Sequence, residues 1–217
     1  MKTLLAATLL LFLGMPVLEA KIYQLSDEKI SLEIPDAWVI TPKPGVAFSA
    51  ARPQNQSTVA VLVMSNDQKQ SVGDPAFISG MKKGMIETAS GQGTKIEFVG
   101  EDQVSLNNVP AYNVQYNAVL ANGTTIFVRA YAIAANGKIY VISLQTLDST
   151  LDYELQNIAS TFKFMSPPEL PVVAQNPAYK LGWFAGEVIF VILVLATIGC
   201  AIRLLSTHRP KPELPPE

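Results

Sequence analysis

A chain of 217 residues has room for one ordinary domain plus some extra segments. It is 49% apolar and 16% charged with a net charge of −2, and no basic block precedes its C-terminal tail, so nucleic acid has no electrostatic footprint to bind. Cys200 is the only cysteine and His208 the only histidine, both in or beyond a C-terminal apolar segment; elsewhere this excludes thiol and imidazole nucleophiles, zinc sites, Ser-His-Asp triads and a disulfide framework.

The chain opens with Lys2, an apolar run from Leu4 to Leu13, the breaker Gly14-Met15-Pro16, and Ala20. A short positive start followed by about ten apolar residues reads as a secretory signal over residues 1–20, too short for a comfortable span. An uncleaved anchor is the alternative. Residues 21–165 then form one extracytoplasmic domain. Ile30-Ser31-Leu32-Glu33-Ile34 alternates with period two and stops at Pro35, which predicts a strand. Residues 46–51 and 58–64 read as further strands. From Asp74 to Ala89, the residues Phe77, Ile78, Met81, Met85, Ile86 and Ala89 share one helical face, with Asp74 as N-cap and Pro75 at the first helical position. Residues 95–106 return to strand, after a Gly91-Gln92-Gly93 that closes the helix and is no phosphate cradle.

Asn122-Gly123 and Asn136-Gly137 sit between strand-like runs, the strongest short-range hairpin signal, and predict a three-stranded antiparallel meander over 111–145. A second amphipathic helix follows, with Leu151, Leu155, Ile158, Ala159 and Phe162 on one stripe. Apolar residues on both sheet faces predict an α/β (α+β) fold, an antiparallel sheet between helices in an α-β-α sandwich.

If both Asn-Gly pairs close two-residue turns, Tyr116 opposes Arg129 and Tyr131 opposes Ile142. Arg129 is then flanked by Tyr116 and Tyr131, an arrangement suited to a cation–π contact or an anion-binding spot. The plainer reading is an arginine whose stem packs on tyrosine while its head reaches water. Trp38 reads as a core plug at the strand corner. Asp27-Glu28 and Glu101-Asp102 are adjacent carboxylates on opposite strand faces, and read as solvated charges. No catalytic residue, metal ligand or cofactor site emerges, and the pattern argues against an enzyme.

Residues 166–180 carry four prolines and predict a semi-rigid spacer. Residues 181–205 are long and apolar enough to cross a bilayer, and predict a transmembrane helix. Arg203, Arg209 and Lys211 follow it whereas only Lys180 closely precedes it, which puts residues 206–217 in the cytoplasm and the domain outside. Gly182 and Gly186 lie four apart beside Glu187, a pattern for contact with a partner helix or a second copy; a glutamate snorkelling to water is the alternative.

Tyr23 to Trp38, with a strand running into a Pro-x-x-Trp corner, resembles the opening of PsbP/Mog-like domains. Asn-Asn-Val-Pro-Ala-Tyr before the meander and Ser-Thr-Phe-Lys-Phe after the last helix are similar too, with bacterial DcrB-type envelope proteins the nearest relatives. The resemblance implies an antiparallel sheet between helices and roles that are mostly noncatalytic: assembly factors, photosystem accessory subunits, a Ran-binding protein, envelope accessory proteins. Ala37 departs from the glycine often found in the corner, and a C-terminal helix stands in place of a lipid anchor. The expected protein is a membrane-anchored accessory or binding module on the outer face of a bacterial inner membrane. The alternative is an anchored small-ligand or sensor protein using a groove near Arg129.

Overall fold

The computed structural model describes residues 20–171 apart from 53, 55, 68 and 69. The expected signal peptide, membrane helix and tail, with Gly182, Gly186 and Glu187, lie outside the described residues.

Among the described residues, ten strands and two α-helices follow one another as β1 (Ala20–Leu25), β2 (Ile30–Pro35), β3 (Val39–Ile40), β4 (Phe48–Arg52), β5 (Ser57–Ser65), α1 (Pro75–Gly91), β6 (Lys95–Leu106), β7 (Val109–Val119), β8 (Thr125–Ala135), β9 (Lys138–Thr146), α2 (Asp152–Ser160, after a 3-10 turn at Ser149–Leu151) and β10 (Lys163–Phe164). A seven-stranded antiparallel sheet has the order β3-β4-β5-β9-β8-β7-β6, and a small sheet has the order β1-β2-β10. The fold is α+β.

Helix α1 starts where its chemistry says. The Asp74 Oδ1 accepts from the Ala76 amide at 2.8 Å, and Pro75 occupies a first-turn position that needs no amide. Its Phe77, Met81, Met85 and Ala89 are fully buried against Tyr112, Val114, Ala118, Ile126, Ala130 and Ala132. Three alanines among those six sheet residues let the helix come close. Ile86, expected on the same stripe, is 45% exposed at its margin.

The other sheet face is covered by two elements, where a helical layer alone was expected. Helix α2 contributes Leu155, Ile158 and Ala159, and the small sheet contributes Ile30, Leu32 and Ile34 from β2. Each such leucine or isoleucine side chain contributes about 1.5–3 kcal/mol on full burial. Tyr140, Phe162 and Phe164 meet edge to face with centroids 5.1–6.2 Å apart, tying β9 to β10. Trp38 is buried in this core, and its Nε1–H donates to Glu154 Oε1 at 3.0 Å.

Two expectations about the meander need correction. The meander has four strands, because Asn107 and Asn108 both adopt positive φ and turn β6 directly into β7, Leu106 facing Val109. The second Asn-Gly hairpin has the expected register: Asn136 and Gly137 both have φ > 0, and Ala135 pairs with Lys138. The first does not. Only Gly123 has positive φ there, Asn122 Oδ1 accepts from the Thr124 amide, and the Leu120 amide bonds the Thr124 carbonyl. The loop therefore holds three residues, the register moves by one, and Tyr116 pairs with Val128 in place of Arg129. A one-residue slip turns every side chain of a strand to the other face.

The proline-rich stretch also stays with the domain past residue 166. Its first residues lie against the turn end of the sheet, where Asn136 and Glu169 exchange two hydrogen bonds of 2.8 Å. Among the described residues no helix is long and apolar enough to cross a membrane.

Candidate functional site

The observed registers give the sheet face shared with α2 a set of cross-strand rows. Gly100, Gln115, Arg129 and Leu144 form one row across β6-β7-β8-β9, and Asp102, Asn113, Tyr131 and Ile142 the next. Tyr116 is on the opposite face, buried beneath α1 with its ring 6.2 Å from that of Phe98. The expected trio is thus split: Arg129 and Tyr131 stay together, and Tyr116 leaves them.

Arg129 does not stand alone. Its Nε donates to Asp152 Oδ1 at 3.0 Å and its Nη2 to Asp152 Oδ2 at 2.7 Å, a bidentate fork. Gln156 adds a 2.6 Å bond to the same carboxylate from one turn further along α2. Burial by itself would lower the Arg129 pKa, but the Asp152 bonds and the Tyr131 hydroxyl outweigh it and raise it. Burial raises the Tyr131 pKa, with Arg129 working against it. Asp152 is the first residue of α2, where a carboxylate also complements the helix dipole. The pair therefore pins the start of α2 to β8.

Beside this pair lies an open hollow of about 160 Å³, with Phe127, Leu144 and Leu155 as its apolar part and Gln115, Asn117, Thr146 and Ser149 as polar edges. Val99, 63% exposed at the bulge where β6 shifts register, forms its rim. Since two of the guanidinium nitrogens already bond Asp152, the hollow presents amides, hydroxyls and apolar surface, with the cation neutralised. Such a surface suits neutral hydrogen-bonding groups of a partner better than a free anion. One row along, Asn113 Nδ2 donates to Asp102 Oδ1 at 2.6 Å, leaving a buried Asn113 Oδ1 without a partner among the described residues.

Asp152 escaped the sequence reading because its partner is 23 residues away, although an acidic residue opening a helix was visible. A register with Tyr116 opposite Arg129 turns Gln115 and Asn117 to the other face; the observed register pairs Gln115 with Arg129 and Asn117 with Phe127. Among the described residues no group of three or more His, Cys, Asp or Glu side chains could hold a metal ion.

Comparison with solved structures finds the same fold in cyanobacterial PsbP (CyanoP) from Synechocystis sp. PCC 6803, with a TM-score of 0.55 and 15% identity over 70% of this chain and 95% of that one. The Ran-binding protein Mog1p of Saccharomyces cerevisiae aligns with a TM-score of 0.48 and 13% identity, over 69% of this chain and 97% of that one. LpqN of Mycobacterium tuberculosis, described as involved in cell envelope biogenesis, aligns with a TM-score of 0.41 and 16% identity, over 71% and 91%. A comparison with curated protein sequences finds no match. The sequence matches the PsbP family over residues 19–164, the whole of the described domain from its first strand to its last, and the chain belongs to that family.

Proposed function

We propose that this protein is a noncatalytic accessory module of the bacterial cell envelope, held in the inner membrane by residues 181–205, with its PsbP domain outside, and that it supports the assembly or stability of a membrane complex. The observation that carries this reading is the family match over 19–164 joined, in one chain, to a C-terminal apolar segment with cationic residues behind it. The Gly182-x-x-x-Gly186 spacing beside Glu187 is a sequence pattern suited to contact with a partner span. The Arg129–Asp152 fork works against the alternative of an anion-sensing groove, because an incoming anion would have to displace a carboxylate already held bidentately.

In-cell crosslinking followed by mass spectrometry tests the proposal. The expected result is adducts with the same membrane protein through both the domain and the span. Retention of one small molecule by the purified chain, with no protein adducts, would favour the sensor reading instead.

A further inference from the structure

The chain leaves the domain at one end of the large sheet. That end gathers the β1–β2 turn, the Asn107-Asn108 turn, the Asn136-Gly137 turn and the end of β5, whose Ser65 pairs with Lys138. After β10 the backbone crosses this end. The Met165 amide bonds the Lys29 carbonyl at 2.9 Å, and Pro167 and Pro168 line a hollow with Leu106, Val109 and Phe164. The crossing ends in a reciprocal lock: the Asn136 amide donates to the Glu169 carbonyl and the Glu169 amide to Asn136 Oδ1, both at 2.8 Å. Asn136 thus has two tasks. Its left-handed backbone makes the turn, which glycine could do as well; its side chain holds the strap, which glycine could not.

We infer that the segment from Met165 to Pro171 is a strap that holds the domain upright in one sense: its Asn136-Gly137 end stays nearer the lipid than its Leu120–Thr124 loop. The inference rests on the anchored reading proposed above. Chain length decides it. Strand β8 runs from Thr125 to Ala135, and with its loop the distal end lies about 35–40 Å from the strap. From Pro171 to residue 181 are ten steps of chain, which drawn fully straight reach about 33–36 Å. An inverted domain, distal loop down, would need every one of them straight. Were the strap free from Phe164 onward, the limit would be about 56–61 Å and inversion would be allowed with slack. The lock at Asn136 makes the difference, and it lifts the hollow beside Arg129 toward the level of a neighbour's extracytoplasmic parts.

The test uses the full chain, with Cys200→Ser, reconstituted in phosphatidylethanolamine–phosphatidylglycerol vesicles carrying a headgroup energy acceptor. One dye is placed by Asp27→Cys at the strap end and, in a separate variant, by Ala121→Cys at the distal loop. Transfer is expected to be several-fold stronger from position 27 than from 121. Asn136→Gly is expected to bring the two toward equality and to speed exchange of the Glu169 amide roughly tenfold, the factor for one lost hydrogen bond. Asn136→Asp, which keeps an Oδ1 acceptor, is expected to restore both readouts. Equal transfer from the two positions in the parent chain would overturn the upright orientation alone. An Asn136→Gly variant with parent-like exchange at Glu169 would overturn the lock. Transfer from neither position would refute the anchored reading and the orientation with it.

Discussion

Arg129 and Asp152 are unequal partners: the arginine side chain is 14% exposed and the aspartate 42%. Removing the aspartate leaves a cation in a largely dry place, whereas removing the arginine leaves a carboxylate that water can reach. Asp152→Ala is therefore expected to destabilise a fragment covering residues 20–171 by about 1–3 kcal/mol. Arg129→Met, which keeps the stem, is expected to cost less than about 1 kcal/mol. Urea denaturation of the two variants reads the difference, and a costlier Arg129→Met would show that the arginine contacts something else. Tyr116 gives a second expectation. Its hydroxyl is buried without a partner among the described residues, and burial alone pushes its pKa far up. Tyr116→Phe is accordingly expected to leave stability unchanged or raise it by up to about 1 kcal/mol, and a loss larger than that would contradict the observed register. At this scale the sequence disclosed which residues were unusual and misjudged their neighbours. Asn122 looked like a left-handed turn residue; its side chain instead caps the Thr124 amide, and that one choice moved Tyr116 across the sheet.

The elements were more legible than the contacts. Local rules found α1, from its helical spacing, and the hairpin at Asn136, from its Asn-Gly turn. The small sheet was harder to see, since β10 is two residues long and finds β2 across more than 120 residues of chain. Packing is tight where α1 meets the sheet: Ala132 is 2% exposed on the face beneath that helix. Ala132→Leu is expected to overpack that contact and cost about 1–3 kcal/mol, measurable as a lower midpoint in the same urea series. Helix α1 is also tied to β6 at the surface, where Lys82 bonds Glu101 at 2.7 Å and the Tyr112 hydroxyl donates to the same carboxylate at 2.5 Å. The Lys82 bond, then the Tyr112 bond, holds the Glu101 pKa below its ordinary 4.5. A carboxylate with a depressed folded pKa adds stability above its unfolded value that is lost as pH falls through the folded one. Glu101→Gln is expected to flatten the stability–pH curve on the acid side of 4.5 and to leave its neutral limb parallel to the parent's. An unchanged acid limb would contradict the role given to Glu101.

For the molecule as a whole, family membership and the strap address different questions. The first gives the fold on which any surface is displayed. The second, on the anchored reading proposed above, sets which end of the domain faces the membrane. The strap was not legible in the sequence: the prolines announced a stiff spacer, but nothing in their pattern said that Glu169 would return to Asn136. The role itself is tested most directly by deleting the chain and quantifying the inner-membrane protein complement, alongside purification of the full chain from solubilised membranes at native abundance. The account predicts one membrane protein that copurifies in fixed stoichiometry and falls in amount when the chain is absent. A chain recovered alone, with the membrane complement unchanged by its deletion, would contradict the account.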